Sequence, residues 1–582
     1  MAEVTKGPNA TEAVVGAKRE GRSPAFVYSA LATAVVVLIA ALTITASQTP
    51  PPAIAELAPA AVQQITNAPP GQTSSAGEGE GGAGGGDLAS LPTTTTTPTP
   101  AAEIRQAPRT RKCITEPGFA PRQTEDPQSP PCVPLWEGTN NGGATSKGVT
   151  RDEITVAVPF FGEPNRNYAG LEAYFNKRYE FYGRKIRLVG FKQAPAYTTG
   201  DKMEGDAVKA DEEVKAFAAV GYGLQRGQEG VYFNALARRG IVSVAASFGG
   251  PPSSTEADFA KNAPYQWNYY APIDLVERNM AEVICNQLVG KPAAFAGGAE
   301  AAKQRRFGLI IDAAVNGAPP ITGEPLLSIT KRCGALWDVN RIAFRAPDIQ
   351  FAAAEDTKNA VTQMQGSGVT TIVCLCQFNY IAGAMQSANS ASPPYQPEWF
   401  VQNFGVQDHD QFAPSYPGLQ SDHVFGLRTY NKALPRAESP HWMAKKEVDP
   451  TDPPNIQNYD NNYWNLLVLS SGIQLAGPNL TPKTFEQGLQ RAKFPNPNCG
   501  KAPVYQACVG FEGGTHTMIK DFSMVWWDPN GRSLEHDYTL NSNAYFAAKG
   551  QGAYCYAELG TRRGLGRWPD KTPPMFGTTA CR

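Results

Sequence analysis

From residue 153 onward, short apolar runs alternate with stretches of helical periodicity. The run 154–161 ends in Gly162 and Pro164. Leu171, Tyr174, Phe175, Arg178 and Phe181 or Tyr182 then recur at helical spacing, Gly183 closes the helix, and a second β-rich run starts at Ile186. Strand, helix and strand within about forty residues form one βαβ unit, because a parallel crossover needs a helix of that length. The alternation predicts helices over 206–215, 230–239, 274–289 (with Asp274 as N-cap), 322–331, 351–364 and 381–388. Strands are predicted over 217–220, 241–247, 307–311, 339–344, 370–376 and 399–404. This is an α/β chain with mostly parallel sheets and helices on both faces. The strands are too many for one small sheet, so two doubly wound, Rossmann-like lobes are expected.

The N-terminal part is different. Residues 25–46 are 22 residues without a charge, long enough to span a bilayer. Lys18, Arg19 and Arg22 precede them, and the first charge after them is Glu56. The positive-inside rule makes 1–24 cytoplasmic, 25–46 a transmembrane anchor, and everything from about 47 extracytoplasmic. A cleaved signal peptide, with Ile44 and Ala46 at the cleavage site, is the competing reading and would give a secreted chain. Lipidation would need a cysteine just after the apolar segment, but the first is Cys113. Residues 47–110 are rich in Pro, Gly, Ala and Thr without core-forming periodicity: a disordered linker averaging roughly 45 Å end to end.

A formal net charge of −1 argues against a nucleic-acid partner. In an exported chain the ten cysteines read as disulfides. The sequence-local pairs expected are Cys113–Cys132 (in an entry segment, 111–151, whose bridged loop is too irregular for helix or strand), Cys499–Cys508 and Cys555–Cys581. The pairing of Cys285, Cys333, Cys374 and Cys376 stays open. Cys374 and Cys376 share one face of a strand, as a disulfide or as buried thiols rather than a catalytic pair. The five histidines form no HxH or HExxH, and there is neither a GxSxG elbow nor a P-loop. GYGLQRGQ lacks the GxGxxG spacing of a dinucleotide loop. No enzyme activity, catalytic residue, metal or cofactor is expected.

Three stretches carry a family resemblance: AGLEAYFNKRYEFYGRKIRLVGFK, YDNNYWNLLVLSSGIQLAGPNLTPKTFEQGLQRAKF and VGFEGGTHTMIKDFSMVWWDPNG. In order and spacing the chain from 153 to 532 resembles the type 1 periplasmic binding proteins, the family of the leucine/isoleucine/valine-binding protein. The resemblance implies a two-lobed ligand-binding domain over 152–532, closing around a small molecule through three crossover strands. Lobe one would comprise about 152–268 and 430–518, and lobe two about 269–429 plus part of the C-terminal segment. Residues 533–582 have no counterpart and read as an extension tied down by Cys555–Cys581.

In doubly wound lobes the ligand lies at the loops after the strands. Those positions are Phe160, Phe161 and Gly162, Tyr222, Gly223 and Gln225, and Ser247 and Phe248 in lobe one. In lobe two they are Asp312, Phe378, Asn379, Tyr380 and Phe404. Amino-acid binders of the family hold the ligand carboxylate with Ser/Thr hydroxyls and its ammonium with a lobe-two acid. Here Ser247 could serve, but Tyr222 and Gly223 replace the other hydroxyls, and Asp312 is the only nearby acid. The aromatic loops point to a flatter, less charged ligand, aromatic or amide-like rather than a free amino acid. The reading is an extracytoplasmic solute-binding protein serving an ABC-type permease. The alternatives are an envelope sensor or interaction protein with a degenerate cleft and, further off, an exported hydrolase.

Overall fold

The computed structural model describes residues 112–556 apart from 125, 127, 161–166, 196–199, 222–228, 245–253, 313–320, 339–341, 345–353, 377, 403–415, 429–439, 449–458, 498, 500–507, 521 and 532–552. All of these belong to one compact unit, Thr96–Arg582. The expected anchor and linker lie outside the described residues. Among the described residues no helix is long and apolar enough to cross a membrane.

The chain enters through β1 (Cys113–Ile114) and β2 (Arg122–Gln123), a two-residue antiparallel ladder closed by the Cys113–Cys132 disulfide. The expected irregular loop therefore contains a small hairpin. Its polar groups reach into the domain that follows. Asp126 accepts from the Tyr463 hydroxyl at 2.7 Å, Gln474 donates to the Pro131 carbonyl at 2.6 Å, and Gln123 donates to the Arg178 carbonyl at 3.3 Å.

The first sheet is wholly parallel, in the order β4-β3-β5-β6-β7. Its strands are β3 (Glu153–Phe160), β4 (Lys185–Lys192), β5 (Ala218–Val220), β6 (Val242–Val244) and β7 (Gln266–Trp267). The helices between them are α1 (Asn167–Arg178), α2 (Gly200–Val208), α3 (Glu229–Arg238) and α4 (Glu256–Lys261). The segment expected as one helix at 206–215 is thus the end of α2 and a π turn, Lys209–Glu213. β3 is buried on both faces, as a parallel strand between helical layers must be. Val156 and Val158 join a core with Leu171 and Phe175, while Ala157 joins another with Met203, Phe233 and Leu236.

After α5 (Ile273–Val283), prolonged by a π turn at Ile284–Leu288, the chain builds a second sheet. Its parallel strands are β8 (Phe307–Asp312), β9 (Ile342–Phe344), β10 (Thr371–Leu375), β11 (Glu398–Val401) and β12 (Val424–Arg428). They are interleaved with α6 (Glu324–Arg332), α7 (Ala354–Gly366), α8 (Phe378–Asn389) and α9 (Gly418–Ser421). Asp274 is not the N-cap of α5. Pro272 holds that place in extended conformation, and Asp274 in the first turn accepts from Arg278 at 2.8 Å and from the Glu256 N–H at 3.1 Å.

The chain then returns to the first sheet with α10 (Pro440–Val448) and α11 (Tyr459–Ala476), which pack on α1, and α12 (Pro482–Arg491), which packs on α11. Finally β13 (Ser523–Asp528) and β14 (Ala553–Tyr556) extend the second sheet antiparallel, in the order β14-β13-β12-β11-β10-β8-β9.

Three crossovers therefore join the sheets. Residues 268–272 lead from the carboxyl end of β7 to α5, and after the carboxyl end of β12 the next described element is α10, back on the first sheet's side. The third, around 519–523, runs beside the first, with the Met518 and Ile519 N–H groups donating to the Asn268 and Tyr269 carbonyls at 2.9 and 3.1 Å. It enters the second sheet where Ser523 pairs with Arg428, again at the carboxyl end of β12.

Candidate functional site

In a doubly wound sheet, ligands bind where the strand order reverses. The first sheet reverses between β3 and β5, at Phe160 and Gly221, and the second between β8 and β10, at Asp312 and Cys376. The two reversals face one hinge. The Arg305 guanidinium, beside the start of β8, donates to the Leu288 carbonyl at the end of the α5 segment at 2.8 Å. The start of α5 therefore points to the carboxyl edge of the second sheet. The five residues from β7 to α5 span at most about 18 Å, which holds the two carboxyl edges together.

Around Gly221 the first sheet is capped by side chains that the strand-end reading did not single out. Gly221 has φ +69°, and a β-carbon placed on it would lie 3.0 Å from the Tyr168 hydroxyl and 3.8 Å from Asn465 Nδ2. Burial raises the Tyr168 phenol well above its ordinary pKa and keeps it protonated. Asn465 and Asn462 lie on the same face of α11, three residues apart. They are only 1 % and 6 % exposed. Among the described residues, Asn465 Oδ1 and Asn462 Nδ2 have no hydrogen-bond partner. Beside them the indole of Trp464 stacks on Tyr269 of the first crossover.

The predicted site residues divide as follows. Phe160 ends β3, half-buried, with its ring 3.4 Å from where a side chain on Gly190 of β4 would begin. It covers the edge strand. Asp312 ends β8 beside Phe344 of β9, and Phe378 and Asn379 open α8, all at the second reversal. Tyr380 is a correction. It is fully buried in the second-sheet core with Ile381, Ala384 and Met385, because its place in α8 turns it inward. Phe161, Tyr222, Gly223, Gln225, Ser247, Phe248 and Phe404 lie outside the described residues.

The disulfides Cys113–Cys132 and Cys499–Cys508 are formed. Cys285–Cys333 ties the end of the α5 segment to α6, and Cys374–Cys376 closes on itself at the end of β10, with Cα atoms 5.1 Å apart. Cys555 is disulfide-bonded, while Cys581 lies outside the described residues. Among the described residues no group of three or more His, Cys, Asp or Glu side chains is placed to hold a metal ion.

No protein-family model matches this chain, and no curated protein matches it. Solved structures similar to it include solute-binding proteins of ABC transporters. One, from Rhodopseudomonas palustris HaA2 in complex with p-hydroxybenzoic acid, is 12% identical; the match covers 72% of this chain and 98% of that one, with a TM-score of 0.47. Another is a leucine-binding protein from Thermotoga maritima, at 13% identity, 69% and 99% coverage, and a TM-score of 0.45. A third is a substrate-binding protein from Aeropyrum pernix, at 12% identity, 64% and 92% coverage, and a TM-score of 0.47.

Proposed function

We propose that this chain is an extracytoplasmic solute-binding protein that captures a small organic molecule between its two lobes and passes it to an ABC-type permease. One observation carries the reading: both strand-order reversals lie at the carboxyl edges that the three crossovers join. Two doubly wound sheets hinged in this way can bury a ligand by closing, and neither sheet alone can. The neutral polar groups around Gly221 and the aromatic strand-end loops favour a flat, weakly charged solute over a free amino acid. The apolar stretch 25–46 supports a single membrane anchor with the binding domain outside the cell.

A thermal-shift screen of the full chain against small metabolites tests the binding reading. A ligand at 100 times its Kd should add about 2.7 kcal/mol of stability. If no small solute raises the melting temperature, solute capture is refuted and an interaction module takes its place.

A further inference from the structure

Buried polar atoms in folded proteins are nearly always paired, and those that are not call for a physical reason. Asn462 Nδ2 and Asn465 Oδ1 are such atoms, on one face of one helix. Helix α11 also carries them to the right place. Its far end lies at the amino edge of the first sheet, where Arg184, just before β4, donates to the Pro478 carbonyl at 2.9 Å. Its near end lies at the carboxyl edge, where Asn465 adjoins Gly221 just beyond β5. Asn462 is one turn closer to the start of the helix, hence further toward the hinge side.

We propose that Asn462, Asn465 and the Tyr168 hydroxyl form the first-lobe seat for an uncharged group of the ligand that both donates and accepts hydrogen bonds, of the carboxamide class. This rests on the solute-binding reading above and gives that site its chemistry. Among the described residues Nδ2 of Asn462 is a donor without an acceptor, and Oδ1 of Asn465 is an acceptor without a donor. A carboxamide supplies one of each. A carboxylate supplies acceptors only and would leave Asn465 Oδ1 unmet, while a bare ammonium would leave Asn462 Nδ2 unmet. The seat itself consists of two amides and a phenol, none of which carries a charge to compensate a ligand's. Gly221 leaves room for the Tyr168 hydroxyl, since a β-carbon there would lie 3.0 Å from it.

The unpaired atoms also separate a binding role from a structural one. Replacing a buried, unpaired amide by an apolar group of similar shape is neutral or stabilising for the free protein. A binding amide should therefore be dispensable for folding and required for the ligand. The test measures melting temperatures and calorimetric affinities of the full chain and of N462L, N465L and Y168F, against benzamide and nicotinamide and their acids, benzoate and nicotinate. The expected result has the amides binding the wild type at least tenfold tighter than the acids. Each substitution should weaken amide binding about tenfold or more without lowering the melting temperature of the free protein.

Equal or tighter binding of the acids overturns the assignment. So do variants that keep wild-type affinity for a solute the wild type binds, and in that case the solute-binding reading stands. A marked loss of stability in free N462L and N465L, with Y168F binding as the wild type does, makes the amides structural and equally overturns it. Should the wild type respond to neither these compounds nor the metabolite screen, the solute-binding reading falls and the seat falls with it.

Discussion

The indole of Trp464 lies flat against the ring of Tyr269, with centroids 4.5 Å apart and planes 9° from parallel. One ring belongs to α11 and the other to the first crossover, so the hinge is fastened to the first sheet through this pair. Both rings are buried. Trp464→Ala should cost about 3–5 kcal/mol in urea unfolding, as large-to-small core substitutions do. A double-mutant cycle with Tyr269→Leu and Trp464→Leu should show a coupling of about 0.5–1.5 kcal/mol. A coupling near zero would mean that the hinge is held by other contacts.

Arg305 and Glu398 form a two-pronged ion pair in the second lobe, at 2.7 and 2.8 Å, with both side chains almost wholly buried. Glu398 also accepts from the Thr371 hydroxyl and the Phe295 N–H, and Arg305 from its side donates to the Leu288 and Lys291 carbonyls. Removing one partner leaves a buried charge uncompensated. Arg305→Met should therefore destabilise by about 3–5 kcal/mol. Adding Glu398→Gln should recover part of that loss. Chemical denaturation of the two variants decides it, and a double variant no better than the single one would show that hydrogen bonding rather than charge dominates.

Glu277, on α5, accepts from the Leu326 N–H at 3.1 Å. Burial pushes its carboxyl from 4.5 up to about 7, with Asp274 and Glu324 adding to the rise and the Leu326 N–H and Arg278 opposing it. Between these values the folded chain holds a proton that the unfolded chain releases. The stability this confers is fully present below about pH 4.5 and lost as the pH rises through about 7. Glu277→Gln keeps an acceptor for Leu326 and cannot ionise. Relative to wild type it should be near neutral at pH 4.5 and more stable at pH 8 by up to about 3 kcal/mol. Unfolding curves at the two pH values that differ equally from wild type would refute this.

The Cys113–Cys132 bridge closes a short loop, with a sequence separation of 19. Loop entropy alone assigns such a closure about 3 kcal/mol. The double Ser variant should lose roughly that much stability while keeping any solute affinity. An equal loss of affinity would mean that the entry segment shapes the cleft.

Much of this architecture was legible in the chain itself. The apolar runs that became β3, β5, β8 and β10 are buried on both faces and therefore read as near-continuous hydrophobic strands. The helices around Leu171 and Met364 declare themselves by spacing. β12 and β14 were not read, because both owe their place to pairing with β13, which for β12 lies about a hundred residues further on and which sequence spacing does not reveal. Tyr380 misled through its type. An aromatic after a strand reads as a ligand contact, but Ile381, Ala384, Met385 and Ala388 continue a helical stripe that carries it into the core. Asn462 and Asn465 stayed hidden for the opposite reason. Amides in a helix ordinarily mark its wet face, and only the burial of α11 between the sheet and its neighbours reveals them as unpaired.

The entry hairpin has one more implication, and it is mechanical. Its hydrogen bonds to Arg178, Tyr463 and Gln474 all end on α1 or α11. Tension applied to the chain ahead of Lys112 is therefore borne by the first lobe's helices and bypasses the hinge. A pull from that end would leave the second lobe free to swing.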